Sequence, residues 1–258
     1  MRKFALTAIA AAFAVTAFTG GTAKAAGDAP VPAAQDWSWD GIFGTYDRAQ
    51  LQRGFQVYKT VCASCHSLRF IAFRNLDGIG FNEDQIKAIA AEYDVEDGPN
   101  DDGDMFTRPG KPSDYFPSPF PNEKAAAASN GGAIPPDLSL MNKARVGGPD
   151  YVFGLLTGYE EEAPEGFDLA DGKHYNHYFP GHQISMAPPL YDEAVEYTDG
   201  TPATVEQHAR DISAFLNWTA QPELEARKAL GIKVILFLIV LTAMLYAVKR
   251  KIWRDIEH

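Results

Sequence analysis

Apolar positions recur at helical spacing in four separate segments of this chain, and between them the sequence turns rich in proline and glycine. After Asp47, an N-cap by residue type, Leu51, Phe55, Tyr58 and Cys62 follow at steps of three and four. That spacing builds one buried helix face. A shorter helix is predicted over 83–93, capped by Asn82, with Ile86, Ile89 and Tyr93 facing inward. A third begins at Pro149, carries Tyr151, Val152, Leu155 and Leu156 on its apolar side, and stops at Gly158. The clearest pattern is "TVEQHARDISAFLNWT". Thr204 and Gln207 are expected to form a capping box, while Val205, Ala209, Ile212, Leu216 and Thr219 repeat at helical steps. Phe215 and Trp218 widen that face, and Pro222 ends or kinks the pattern. The stretches "RPGKPSDYFPSPFPNE" and "GGAIPPDLS" read as extended loops rather than sheet. Loops this long in an ordered domain usually wrap something functional.

Two apolar runs depart from the amphipathic pattern. Residues 230–248, "LGIKVILFLIVLTAMLYAV", are almost uniformly apolar. At 1.5 Å per residue this run reaches about 28 Å, close to the roughly 30 Å hydrocarbon core of a bilayer. Its one charge, Lys233, lies near the start, and Lys249, Arg250, Lys251, Trp253 and Arg254 follow its end. A basic cluster there predicts a cytoplasmic C-terminus. The first run, after Arg2 and Lys3, closes on the small-residue site Ala23-Lys24-Ala25 and reads as a cleaved secretory signal. The expected organisation is therefore a signal peptide over 1–25, a periplasmic domain over 26–222 and a connecting helix over 223–229. A transmembrane helix over 230–248 and a cytoplasmic tail over 249–258 complete it. The locale is a bacterial inner membrane, crossed once.

The formal net charge is −11, and the basic tail makes the exported part more acidic still. The acidic residues are densest over 92–104 and 160–171. Such runs serve as solvated loops, or as a docking surface for a basic partner guided by charge. An acidic exported domain repels phosphates, which sets nucleic acid aside.

Both cysteines of the chain fall in "TVCASCHSLR", where Cys62 and Cys65 are followed directly by His66. A disulfide between them would close a tiny loop and restrain the unfolded chain little. Zinc would need two further ligands, for which His174 and His177 form a pair by spacing. A thioredoxin-like pair belongs at a strand-to-helix junction, whereas Cys62 closes an amphipathic helix. Covalent haem attachment uses every residue of the motif: two thiols for the vinyl groups and the histidine as an axial iron ligand. Met105, Met141 and Met186 are candidates for the opposite face. Met105 lies in an acidic, hydrated run, and Met141 suits a core-filling role. Met186, in "PGHQISMAPPLYD", is stiffened by Pro188 and Pro189 and is the favoured ligand, with His182 as its strongest competitor. His174, His177 and His208 read as surface or supporting residues.

The segments "RGFQVYKTVCASCHSLRFIAFRNL", "DGPNDDGDMFTRPGKPSDYFPSPFPNEKAA", "NGGAIPPDLSL", "GGPDYVFGLLTGY" and "YFPGHQISMAPPLYDEAVEYTDGTPAT" closely resemble the cytochrome c1 family. The resemblance runs from Trp37 to the C-terminal anchor. It implies a mainly α fold: a class I-like c-type cytochrome haem domain with long Pro/Gly-rich loops, plus one C-terminal transmembrane helix. It implies one covalent haem c on Cys62 and Cys65, with His66 and Met186 as axial ligands. By the same resemblance Arg145 pairs with a haem propionate. The implied role is that of a one-electron carrier in quinol–cytochrome c oxidoreductase. Electrons would come from the Rieske iron–sulfur protein and go to a soluble or membrane-tethered cytochrome c, with cytochrome b as the membrane partner. No substrate bond is made or broken on such a chain alone. A free membrane-anchored shuttle and a haem enzyme are the rival readings. Some bacterial relatives carry an extra disulfide for which this chain has no spare cysteines, so the segment after Gly158 is expected to hold its shape without one.

Overall fold

The computed structural model describes residues 29–254, so the expected signal peptide lies outside the described residues. The architecture is mainly α, as expected. Its helices are α1 (Arg48–Thr60), α2 (Glu83–Ala91), α3 (Glu123–Ser129), α4 (Met141–Ala144), α5 (Pro149–Thr157), α6 (Val205–Ala220) and α7 (Leu224–Ile252). Two small antiparallel ladders join them: β1 (Asp94–Asp97) with β2 (Phe106–Pro109), and β3 (His174–Tyr175) with β4 (Gln183–Ile184).

The core is the α1–α6 contact. Asp47 caps α1 by accepting from the Ala49 and Gln50 backbone N–H groups, at 2.9 and 3.2 Å. The predicted face of that helix is buried at Leu51, Phe55 and Tyr58 and half-buried at Cys62, with Val57 buried in addition, and it packs in one core with Ile212, Phe215, Leu216 and Trp218 of α6. Gly54 lets the two helices close. A Cβ there would lie 2.1 Å from the Asp211 carbonyl oxygen and 2.6 Å from the Phe215 Cβ. The loop residue Phe116 enters the same core, with its ring 4.3 Å from that of Phe73 and 6.0 Å from that of Tyr58. The proline-rich loop is therefore anchored by an aromatic plug rather than draped over the surface.

Several elements differ from the sequence reading. The acidic run 92–104 is not all solvated loop, because its start forms β1 and pairs with Arg108 and Pro109 of the stretch read as extended. Arg108 makes this possible by binding Asp97 and by bridging both Asp114 oxygens at 2.6 and 3.1 Å. The 3-10 helix Phe73–Ile79, whose buried Phe73, Leu76 and Ile79 recur every third residue, and the short α3 and α4 are additional to the helices expected from the sequence. Thr204 does accept from the Gln207 N–H at 3.2 Å, but the Gln207 side chain turns to Asp211 Oδ1 at 2.9 Å. The capping box is thus half made, because Asp211 is buried and draws donors from Gln207 and Arg53. Beyond Gln221 and Pro222 the chain restarts as α7, which runs unbroken from Leu224 through the apolar run. Its 29 residues make it long and apolar enough to cross a membrane, and its apolar stretch is not covered by the rest of the chain.

Candidate cofactor site

The end of α1 folds into one tight turn. The Cys62 carbonyl accepts from both the Cys65 and His66 N–H groups, at 3.1 and 2.9 Å. This turn gathers both thiols and the imidazole at one corner of the core, where the buried Tyr58 hydroxyl donates to the His66 carbonyl at 3.3 Å. The two cysteines are not joined by a disulfide. Burial, with Cys65 nearby as a lesser cause, pushes the Cys62 thiol up to about 12. A redox dithiol needs the opposite, a thiol lowered toward neutrality.

The His66 ring is held from outside its own segment. Its Nδ1 lies 2.8 Å from the Pro136 carbonyl oxygen. A carbonyl can only accept, so Nδ1 carries the proton and Nε2 keeps its lone pair, the form that binds a metal. Burial lowers the His66 pKa and favours the neutral ring, while the Pro136 hydrogen bond and the Asp137 charge oppose it.

Asp137 fixes the strand of loop that carries Pro136. Its Oδ2 accepts from the Ser67 hydroxyl at 2.7 Å and the Arg69 N–H at 3.0 Å, and its Oδ1 from the Ser139 N–H at 3.0 Å. Burial alone would raise this carboxyl, but those donors hold it below the usual carboxylate range. The Leu138 N–H donates to the Ser67 carbonyl at 2.9 Å and the Phe70 N–H to Ser139 Oγ at 3.1 Å, completing the staple. Sequence reading passed over Asp137. The only local signal was an aspartate directly after two prolines, with a serine two positions on, a residue type that turns its side chain onto nearby backbone.

Beside this turn lies a cavity of about 540 Å³, within the usual range for ligand sites. Cys65, Phe70, Phe120, Ile134, Leu140 and Met141 line it. Phe70, Ile134 and Leu140 remain 58, 52 and 46% exposed there. Large apolar side chains clustered in the open mark a surface meant to be covered. Thiols, a lone-pair nitrogen and an apolar cradle at one place fit a large, flat, covalently held macrocycle. They do not fit zinc: among the described residues no three His, Cys, Asp or Glu side chains are placed to hold a metal ion together, and His177 of the histidine pair faces Glu160 at 3.8 Å.

The remaining predicted residues stand apart from the cavity lining. Met186 is half-buried on the loop after β4, and its carbonyl accepts from the Tyr159 hydroxyl at 3.0 Å. Burial raises the Tyr159 phenol, and Tyr151 adds to the effect. Tyr151 is raised by burial too, with the Arg145 guanidinium beside it acting the other way. Arg145 thus sits beside Tyr151 of α5, while Met186 is bonded through its carbonyl to Tyr159 just beyond that helix. Arg145 itself is exposed and follows Ala144, a cavity residue. His182 packs its ring on Tyr175, with centroids 5.5 Å apart, and its Nδ1 lies 3.2 Å from the Asn176 carbonyl. Met105 is 56% exposed on the acidic hairpin. His208 is fully buried against the Tyr197 hydroxyl at 2.8 Å, not on the surface.

Residues 37–256 match the family model described as the Cytochrome C1 family. A cytochrome c1 of Rhodospirillum rubrum is 57% identical over 239 residues, covering 87% of this chain and 88% of that protein. A mitochondrial cytochrome c1 heme protein of Arabidopsis thaliana is 55% identical, covering 84% of this chain and 70% of the relative. A protein of Bradyrhizobium diazoefficiens named cytochrome b/c1 is 52% identical over 87% of this chain, which spans only 36% of it. With the match extending from the tryptophan pair before α1 to the end of α7, the chain belongs to the cytochrome c1 family.

Proposed function

We propose that this chain is the haem-carrying electron-transfer subunit of a cytochrome bc1 complex, with one haem c on Cys62 and Cys65. His66 and Met186 would hold its iron and Arg145 would pair with a propionate. The bound haem supplies a one-electron iron couple. The protein's own residues do the rest. The Pro136 carbonyl orients the His66 ring and keeps Nε2 unprotonated, and Asp137 keeps Pro136 in place. Phe70, Ile134, Leu140 and Met141 would pack against the bound haem and be covered by it, and the drier setting so formed would favour the less charged, reduced form of the centre. Pro188 and Pro189 hold the Met186 loop stiff, and a thioether ligand raises the potential relative to a second histidine.

In this reading the electron donor is a Rieske iron–sulfur protein and the acceptor a soluble or tethered cytochrome c. The acidic residues over 160–171 guide a basic acceptor. α7 crosses the membrane beside cytochrome b, with the head domain in the periplasm and the C-terminus in the cytoplasm. The fused cytochrome b/c1 name of the Bradyrhizobium relative supports that neighbour. The observation that carries the reading is the His66–Pro136 contact beside two cysteines that form no disulfide and a cavity lined in part by large apolar side chains. The test is the alkaline pyridine haemochrome spectrum of the purified full chain, followed by potentiometric titration. A thioether-linked haem spectrum and a midpoint potential well above zero are expected. A haem that extracts into acidified organic solvent would overturn covalent attachment, and a potential below zero would overturn Met186 as ligand.

A further inference from the structure

Ile42 and Phe43 are 68 and 82% exposed at the tip of the loop that precedes α1, with no cover from the other described residues. The loop beneath them is not loose. The Asp40 N–H donates to the Trp37 carbonyl at 2.9 Å and the Thr45 N–H to the Ser38 carbonyl at 3.1 Å. Gly44 sits so tightly that a Cβ would fall 2.0 Å from the Asp40 carbonyl oxygen. Two charged residues of the first turns of α7 grip the loop from the other side. The Lys228 ammonium donates to the carbonyls of Trp39, Gly41 and Gly44, which flank the tip; the last two lie at 2.7 and 3.0 Å. All three of its donors are thereby used. Glu225 accepts from the Tyr46 N–H at 2.7 Å and from Arg48 at 3.0 and 2.7 Å.

This grip fixes the height of the tip along α7. Leu230, the first large exposed apolar residue of that helix, lies two positions after Lys228, a rise of about 3 Å. A bilayer has a polar headgroup layer roughly 5–8 Å thick on each side of its hydrocarbon core. A loop clamped at Lys228 therefore lies at headgroup depth when the apolar run of α7 is in the core. Bulky apolar and aromatic side chains are favoured there, and charged ones are not required.

We infer that Ile42 and Phe43 form a second, shallow membrane contact of this chain, inserted into the lipid interface on the head-domain side. The contact turns a single helical tether into a two-point mount. Rotation and tilt of the head domain about α7 are then restrained by lipid as well as by the Lys228 and Glu225 clamp. The partner is the bilayer surface rather than a protein, because the Lys228 clamp holds the exposed apolar tip within about 3 Å of rise of the point where the uncovered apolar run of α7 begins. The inference rests on the reading of α7 as a membrane span.

The experiment replaces Phe43, Ile42, Val240 or Asp102, one at a time, with the photoreactive p-benzoylphenylalanine in the full chain within native membranes. Illumination is followed by mass analysis of the haem-loaded chain. Phospholipid adducts at 43 and 42, with none at the exposed hairpin residue Asp102, are the expected result. A cross-link from 43 and 42 to another polypeptide overturns the inference, since the tip is then a protein interface. The absence of any adduct at 43 and 42 overturns it too, placing the tip in water. Position 240 separates this from the underlying reading. An adduct there with none at 43 leaves the span intact and sinks only the loop contact, whereas no lipid or protein adduct at 240 removes the span itself.

Discussion

The ring Nδ1 of His66 lies 2.8 Å from the carbonyl oxygen of Pro136, seventy positions further along the chain. That contact sets the tautomer of the proposed axial ligand, and its geometry depends on the loop that carries Pro136. Asp137 is the residue that ties this loop down. Replacing it with alanine removes the acceptor for two backbone N–H groups and one hydroxyl. Asp137→Ala is expected to cost roughly 1.5–3 kcal/mol of domain stability, the range for hydrogen bonds to a charged group. A shifted denaturant midpoint at unchanged slope checks the cost. Easier displacement of His66 by added imidazole checks the link to the site, and Asp137→Asn should restore part of both.

Met186 is proposed to raise the potential of the centre. Met186→His should lower the midpoint by roughly a few tenths of a volt, since axial ligands move haem potentials over a range of about 0.8 V. His182→Ala should leave it unchanged, because that ring is engaged with Tyr175 and the Asn176 carbonyl. Redox titration of the two variants separates the two candidate ligands. A drop in His182→Ala alone would reverse the assignment.

Gly54 marks the closest approach of α1 and α6. With the Asp211 carbonyl oxygen 2.1 Å from where a Cβ would sit, Gly54→Ala cannot be accommodated without separating the helices. Overpacking of this kind costs about 3 kcal/mol or more when backbone is the obstacle. Thermal unfolding followed by far-ultraviolet circular dichroism reads it directly. Gly103→Ala, on the exposed hairpin with nothing within 4 Å of its Cβ site, serves as the comparison, although its positive φ of 89° adds a small cost of its own.

Arg108 ties the acidic hairpin to the loop at Asp114. Its hydrogen bonds, with a further one from the Gly98 N–H to Asp97, hold the Asp97 carboxyl below the usual range, and Arg108 does the same for Asp114. Carboxyls depressed in the folded state stabilise it fully above their unfolded pKa, about 3.9, and lose that contribution as pH falls through the folded values. The hairpin should therefore open below about pH 4, before the α1–α6 core does. Hydrogen exchange of residues 94–109 between pH 6 and 3 is the measurement. Arg108→Ala should open the same segment at neutral pH and abolish the pH step.

The acidic run after Gly158 is proposed to guide a basic cytochrome c. Replacing Glu160, Glu161 and Glu162 with glutamine should slow acceptor reduction several-fold at low salt and flatten its ionic-strength dependence. Equal rates at every salt concentration would remove this segment from the docking surface.

What the sequence determined by itself is whatever depends on neighbours within a few turns. The α1 face from Leu51 to Tyr58, the Thr204 cap of α6, the apolar length of α7 and the Cys62-Cys65-His66 spacing are all local patterns, and each was legible without coordinates. The tertiary structure decided which distant groups meet. Pro136 and Asp137 reach His66 and Ser67 across about seventy positions, and Phe116 leaves a proline-rich loop to enter the aromatic core. Gln207 abandons its capping partner for the buried Asp211, and Lys228 at the base of α7 closes on the Ile42–Phe43 loop. No periodicity announces such contacts. They arise because burying one face of α1 against α6 brings the loops between them to a common corner, where each polar group left without water must find a partner.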